Sequence, residues 1–431
     1  MNGERMIRYV FLAVSICLAF VIEPAFAKVS LDIYGQSYKK ITIATPPFKS
    51  DNGTKLKTDM GDVLAKDLDM SGFFIVAPKS VMDRELTDEG IDKKEIRFEN
   101  WRSLGIELVC KGLLQTQGGG LTLEIYLYDS SDGTLLFAKR YRTMPDEWRR
   151  LVHRLADDII QAVTGERGIM SSRVLFVSSG RQGKDVFIAD LDGANQRRLT
   201  DYGKITLSPC LSPDGKYLAF ASYKEGRPNL FVIDVEKKSE IYANREEGVK
   251  IPSTWFDKKT LVYTQTAGKY STIYAVNIET KEKRVLLRQE GILASPSFSV
   301  DRKRMVFVSD MYGSPQIFIR DLSSGETKRL TYAGNYNTAP ALSPKGDLIA
   351  YGCKTDGALE ICVMKTDGSD PRVLTDGGVN DSPQFSPCGR YILYSSGNGK
   401  KTGIYLMLHN GDNKRALSFT AGEDTQPKLL P

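Results

Sequence analysis

Two hydrophobic patterns divide this 431-residue chain. From about Arg173 onward, apolar and polar residues alternate in short runs, and no stretch keeps a 3.6-residue period for ten residues. The alternation returns on a proline clock: Pro209, Pro252, Pro296, Pro340, Pro383 and Pro427 lie 43, 44, 44, 43 and 44 residues apart. In the clear copies a turn follows, as in Ser212-Pro213-Asp214-Gly215, Ser343-Pro344-Lys345-Gly346 and Ser386-Pro387-Cys388-Gly389. There proline presets φ and glycine carries no steric cost. The copies near Asp257 and Asp301 keep the length but lose the glycine.

After each turn an alternating run carries an aromatic at one fixed place: Phe176, Phe220, Tyr263, Phe307, Tyr351 and Tyr394. A second run carries Phe187, Phe231, Tyr274, Phe318 and Tyr405, with Cys362 in the aromatic's place in the fifth copy. A third includes Arg198-Leu199-Thr200, Arg329-Leu330-Thr331 and Val373-Leu374-Thr375. Four short strands per repeat predict antiparallel blades, and six copies predict a six-bladed β-propeller over residues 169–431. The region opens on a second strand, and its last copy, from Pro427, supplies only a first strand. The C-terminal strand is therefore expected to complete the blade begun at Arg173, which would remove the ring's open edges.

Residues 41–168 follow another pattern and predict a small α/β domain. Ile41–Ala44 and Phe73–Ala77 read as strands around a helix over Thr58–Met70. Leu108–Leu114, Leu121–Tyr128 and Thr134–Tyr141 read as antiparallel strands, and a helix begins at Pro145-Asp146. That helix carries Trp148, Leu151, Val152, Leu155, Ile159 and Val163 on one stripe and closes before Gly165. His153 falls within it and reads as a surface or interdomain packing residue, since no nucleophile signature accompanies it. Residues 28–40 form a short alternating segment with Val29, Leu31 and Ile33 on one face. It is suited to an extra edge strand, or to adding itself to another protein's sheet.

At the N-terminus, Arg5 and Arg8 precede an apolar stretch from Tyr9 to Ile22, and Ala25-Phe26-Ala27 follows. This is the layout of a secretory signal over residues 1–27, cleaved after Ala27, which implies an exported chain without stable membrane insertion. Five cysteines then remain, an odd number matching no Cys-x-x-Cys motif. Cys353 and Cys362 lie on the two sides of one predicted hairpin, and both a disulfide and two buried thiols fit, because the pattern does not fix the register.

Charge narrows the function further. Lys+Arg 59 against Asp+Glu 53 leaves a net of +6 with the signs interleaved, which speaks against nucleic acid. Two histidines, His153 and His409, leave little material for a histidine-rich zinc site or a histidine-relayed nucleophile. Turns such as Asp190-Leu-Asp-Gly193 lack the spacing of a calcium loop. No catalytic residue, cofactor or metal is expected.

The signal, the α/β domain, the helix ending Thr164-Gly165-Glu166-Arg167-Gly168 and the Ser-Pro-Asp-Gly-like blades together resemble the TolB family, periplasmic components of the Tol-Pal system. Trp101-Arg-Ser-Leu-Gly105 and His153-Arg-Leu-Ala-Asp157 are similar to segments of that family. The resemblance implies a non-enzymatic, monomeric periplasmic adaptor that supports outer-membrane integrity and envelope constriction at cell division. It would bind the lipoprotein Pal through the propeller and TolA through the N-terminal segment, with other envelope proteins as further partners. By position, Val29, Ser30, Leu31, Asp32 and Ile33 would meet TolA. The Pal-binding mouth would include Val249, Lys250, Ile251, Ala294, Ser295, Asn337, Thr338, Asn380, Asp381, Asp424 and Thr425. Where one mouth loop of the family pattern carries a histidine, this chain has Glu246-Glu247-Gly248-Val249. The resemblance further implies that the two sites are coupled. The alternatives are an exported propeller enzyme of the sialidase or lactonase kind, or a generic periplasmic binding module.

Overall fold

The computed structural model describes residues 39–431 apart from 52–54, 83–85, 87, 398, 400 and 418. The signal segment and Val29–Ile33 lie outside the described residues. The N-terminal domain has strands β1 (Ile41–Ala44), β2 (Lys49–Ser50), β3 (Phe74–Val76), β4 (Leu108–Gln117), β5 (Gly120–Asp129) and β6 (Leu135–Thr143). They form one sheet in the order β3-β1-β4-β5-β6, with β2 beside β4. β1 runs parallel to both neighbours, pairing Ile43 with Val76 and with Leu108, whereas β4, β5 and β6 form an antiparallel meander. Helix α1 (Leu56–Met70) follows β2; α2 (Phe98–Ser103) is a six-residue helix that the hydrophobic pattern does not announce. Helix α3 (Trp148–Thr164) buries Leu151, Val152, Leu155 and Ile159, and ends on Gly165 in the left-handed conformation at φ 73°. The stripe and the stop are those the sequence predicts.

Everything after Arg173 is β-structure. Four-stranded antiparallel sheets run over Thr206–Asn244, Val249–Glu290 and Leu293–Arg329, each in sequence order. An eight-stranded sheet spans Asn337–Leu417, and its two halves meet at one parallel pair, Leu359 with Val379. In a further four-stranded sheet Asp424–Leu430 lies antiparallel to Arg173–Gly180, with Leu430 opposite Arg173 and Asp424 opposite Ser178. The N-terminal domain is thus followed by a β-propeller.

The repeated aromatics are cross-strand partners. Phe176 pairs with Phe187, Phe220 with Phe231, Tyr263 with Tyr274, Phe307 with Phe318 and Tyr394 with Tyr405, with ring centroids 5.4–5.9 Å apart. Each such pair contributes about 0.5–1.5 kcal/mol beyond the area it buries. In the remaining copy Tyr351 faces Cys362, and Cys362 is joined to Cys353 by a disulfide. A covalent bond stands in the sheet that lacks the second ring.

One of the two turns that lose the glycine also has a physical account. Arg302 takes the glycine's place at φ 61° and donates its guanidinium to the carbonyls of Trp255 at 3.1 Å and Phe256 at 3.0 Å. Those bonds offset the strain of a left-handed non-glycine residue.

Candidate partner-binding face

The repeat proline builds the centre of the propeller. In five first strands the ladder to the second strand is interrupted around it: between Leu207 and Cys210, Ala294 and Ser297, Thr338 and Ala341, Asp381 and Gln384, and Thr425 and Lys428. A proline has no N–H to give, so a bulge is where a strand tolerates it. The preceding residue takes a positive φ: 53° at Ser208, 49° at Ser295, 48° at Ala339, 56° at Ser382 and 54° at Gln426. The sixth copy offers β-branched Ile251, for which that conformation is costly, and there the break moves to between Pro252 and Thr254.

All six prolines line one cavity of about 510 Å³. Its wall is rich in serine and threonine and continues to the turns at Val300, Arg302 and Pro344. Ile251, Ser295, Thr338 and Asp381 of the expected mouth residues belong to it. Asp381 Oδ1 is buried there without a hydrogen-bond partner among the described residues. Lys428 donates to Gln384 Oε1 at 3.0 Å, and burial pulls its pKa down.

Four other expected residues point inward instead. Lys250, Asn337, Asn380 and Asp424 are buried and fasten the loop that leads into each strand. Lys250 donates to Asn229 Oδ1 at 3.1 Å and to the Glu246 carbonyl. Asn337 reaches Gln316 Oε1 and the Ala333 carbonyl, both at 3.0 Å; Asn380 reaches Glu360 Oε2 at 2.9 Å and the Gly377 carbonyl at 3.0 Å. Asp424 accepts from Thr420 N and Oγ1. The repeated Leu-Thr supplies a second fastener: Thr331 donates to Gln316 at 2.6 Å, and Thr375 to Glu360 at 2.6 Å. Ala294 and Thr425 are half-buried outside the cavity wall, and Val249 stands exposed.

An antiparallel four-stranded sheet puts its second hairpin, and its connection to the next sheet, at one end. Its first and third hairpins lie at the other. The first end, the mouth, displays apolar side chains that the sheets do not use: Ile205, Val249, Ile292, Tyr336 and Val379 are each more than 40% exposed. Sequence reasoning located several of these loops by position but missed Ile205 and Ile292, because a single apolar residue in a turn leaves no periodic trace.

The second end, the base, meets the N-terminal domain. Tyr391 donates to the Ser71 carbonyl at 2.7 Å, Asn413 to the Met70 carbonyl at 3.3 Å, Arg415 pairs with Asp69, and the Arg390 guanidinium lies 3.8 Å from the centre of the Phe73 ring. Beside them Asp67 Oδ2 is 2.6 Å from His153 Nδ1, and Arg149 Nε donates to Asp192 Oδ2 at 2.9 Å. Burial raises Asp67 to about 6 against the pull of His153. Burial alone would lower His153, but its bond to Asp67 and the charges of Asp67, Asp192 and Asp190 hold it above its ordinary value. His153, Asp190 and Asp192 also bring ligand atoms within 4.8 Å of one another. Arg149 sits on the same Asp192 oxygen that faces His153, so the group acts as an ion-pair network across the junction. Among the described residues no helix is long and apolar enough to cross a membrane.

Comparison with known proteins covers both regions. Residues 29–136 match the TolB amino-terminal domain family, and residues 160–429 match the TolB beta propeller domain family. The chain is 32% identical over 431 residues to a TolB homolog of Chlorobium luteolum, spanning 99% of this chain and 98% of the relative. It is 34% identical over 249 residues to the Tol-Pal system protein TolB of Desulfosudis oleivorans, spanning 57% of this chain and 56% of that one. The crystal structure of TolB from Acinetobacter baumannii superposes with a TM-score of 0.81 at 26% identity, covering 91% of this chain and 97% of that one.

Proposed function

The chain belongs to the TolB family, and from that premise we propose that it is a non-enzymatic periplasmic adaptor of the Tol-Pal system. In this reading it is a monomer that binds Pal through the propeller mouth and TolA through Val29–Ile33, and it supports outer-membrane integrity and constriction at division. The observation that carries the reading is the contrast between the ends. The N-terminal domain docks on two of the sheets at the base through polar contacts, while at the mouth five successive connections between sheets each keep an apolar side chain in solvent. Exposed apolar groups rimmed by polar ones suit protein recognition, not turnover of a small substrate.

We assign 41–168 to the α/β domain and 169–431 to a closed, six-bladed propeller. The eight-stranded sheet divides at its single parallel pair into two blades, and the strand Asp424–Leu430 seals the ring against Arg173–Gly180. Isothermal titration of the mature chain with Pal tests the function: saturable heat is expected, and its affinity should change when residues 28–36 are removed. Absence of heat with Pal would sink the adaptor reading.

A further inference from the structure

The mouth is unevenly furnished. Its most exposed aromatic residues gather on one sheet, Tyr312 from the second hairpin and Tyr332 and Tyr336 from the connection that leads to Asn337, with Tyr270 and Tyr223 continuing the arc on the second hairpins of the two sheets before it. Tyr312 is 67% exposed and Tyr332 is 72% exposed. On the far side of the ring the second hairpins Gly180-Arg-Gln-Gly183 and Thr355-Asp356-Gly357 and the connection Asp376-Gly377-Gly378 present no ring. Tyr312 leans on the Phe318 ring, with centroids 6.0 Å apart, whereas a ring left in water as Tyr332 is contributes little to the fold.

Arg329 stands between two of these rings. Its guanidinium lies 5.7 Å from the centre of Tyr312 and 4.8 Å from that of Tyr332. Nε donates to the Thr331 carbonyl at 2.6 Å, and the Tyr332 hydroxyl donates to the Arg329 carbonyl at 3.3 Å, so the stack is held from both sides. Among the described residues no carboxylate lies within ion-pair distance of Arg329. Arg288 repeats the arrangement 4.7 Å from the Tyr270 ring. The result is a cation with its rotamer fixed, its planar N–H edge available and its charge unmet. Such a group matches a carboxylate in bidentate geometry at low entropic cost. Flanking rings exclude water from the pair, which is how aromatic and arginine side chains come to dominate interfaces.

We propose that the Tyr312–Arg329–Tyr332 stack is the anchor of the mouth interface, receiving an acidic side chain of a protein partner, so that the partner seats over this arc and not over the channel axis. The inference rests on the reading that the mouth binds a protein, and the experiment separates the two. Titration of the mature chain with Pal is repeated with Arg329→Gln and Arg329→Lys across a range of salt. Arg329→Gln should weaken binding about tenfold to a hundredfold and flatten the salt dependence, with Arg329→Lys between it and the parent. Unchanged melting of Arg329→Gln guards against misfolding. Pal bound equally well by parent and Arg329→Gln would overturn the anchor while leaving the adaptor reading in place. Were Pal to give no heat at all, the adaptor reading would fail and a glutamate-rich peptide would judge the arc. Saturable binding that Arg329→Gln abolishes supports the anchor, and no binding by the parent overturns it.

Discussion

The mouth and the base of the propeller are made by the same repeating unit, and most arginines at both ends find a carboxylate within the chain, as Arg149 does at the base and Arg245 at the mouth; Arg329 does not. At the base, Asp67, His153, Asp192 and Arg149 neutralise one another out of solvent, and Tyr391 satisfies a buried carbonyl. At the mouth, Arg329 is held by rings and a carbonyl and has no carboxylate beside it among the described residues. A contact completed within the chain stabilises the fold; a contact left incomplete is available to a second molecule. The buried network of Asp67 and His153 and the stack of Arg329 are the two cases to compare.

That comparison can be broken by experiment. The largest effect should come from deleting residues 421–431, which strips the first strand from the sheet of Arg173–Gly180. A loss of more than about 5 kcal/mol, seen as aggregation and a collapsed melting transition, is expected. A variant that melts like the parent would contradict a sealed ring. Next, His153→Leu leaves Asp67 buried beside no cation and should cost about 3 kcal/mol in denaturant unfolding.

The same pair gives a pH signature. The folded chain holds the His153 proton more tightly than an unfolded imidazole of ordinary value 6.5. Its stabilisation is therefore complete below that pH and lost as pH rises through the raised folded value. Asp67, raised from 3.8 to about 6, acts in the same direction between those two values. The melting temperature of the parent should therefore fall on going from pH 6 to pH 9. The smallest effect belongs to the mouth. Tyr332→Ala should shift unfolding by no more than about 0.5 kcal/mol; a larger loss would mean that the ring serves the fold.

The architecture was legible because a propeller repeats one hydrophobic code. The proline clock marked the bulges, the paired aromatics marked the cross-strand partners, and the phase of the repeat put Asp424–Leu430 beside Arg173. The face was less legible. Lys250, Asn337, Asn380 and Asp424 look like surface groups in a sequence, since a polar residue at the start of a strand carries the same letter whether it faces water or a neighbouring carbonyl. The tyrosine arc draws on turns some sixty residues apart that alternate with nothing, so only the folded chain assembles it. His153 could be placed on its helix by periodicity, but its partner Asp67 lies 86 positions away and leaves no periodic trace.

One feature of the N-terminal domain bears on how such an adaptor would work. β1 is the first described strand, and it is clasped on both sides by parallel neighbours, β3 and β4. If the segment ahead of it is gripped by a moving partner, tension enters along the strand axis and loads both short ladders in shear, so their hydrogen bonds resist together and do not unzip one by one. The chain would then have a handle built to be pulled, anchored between two strands and not at a peelable edge.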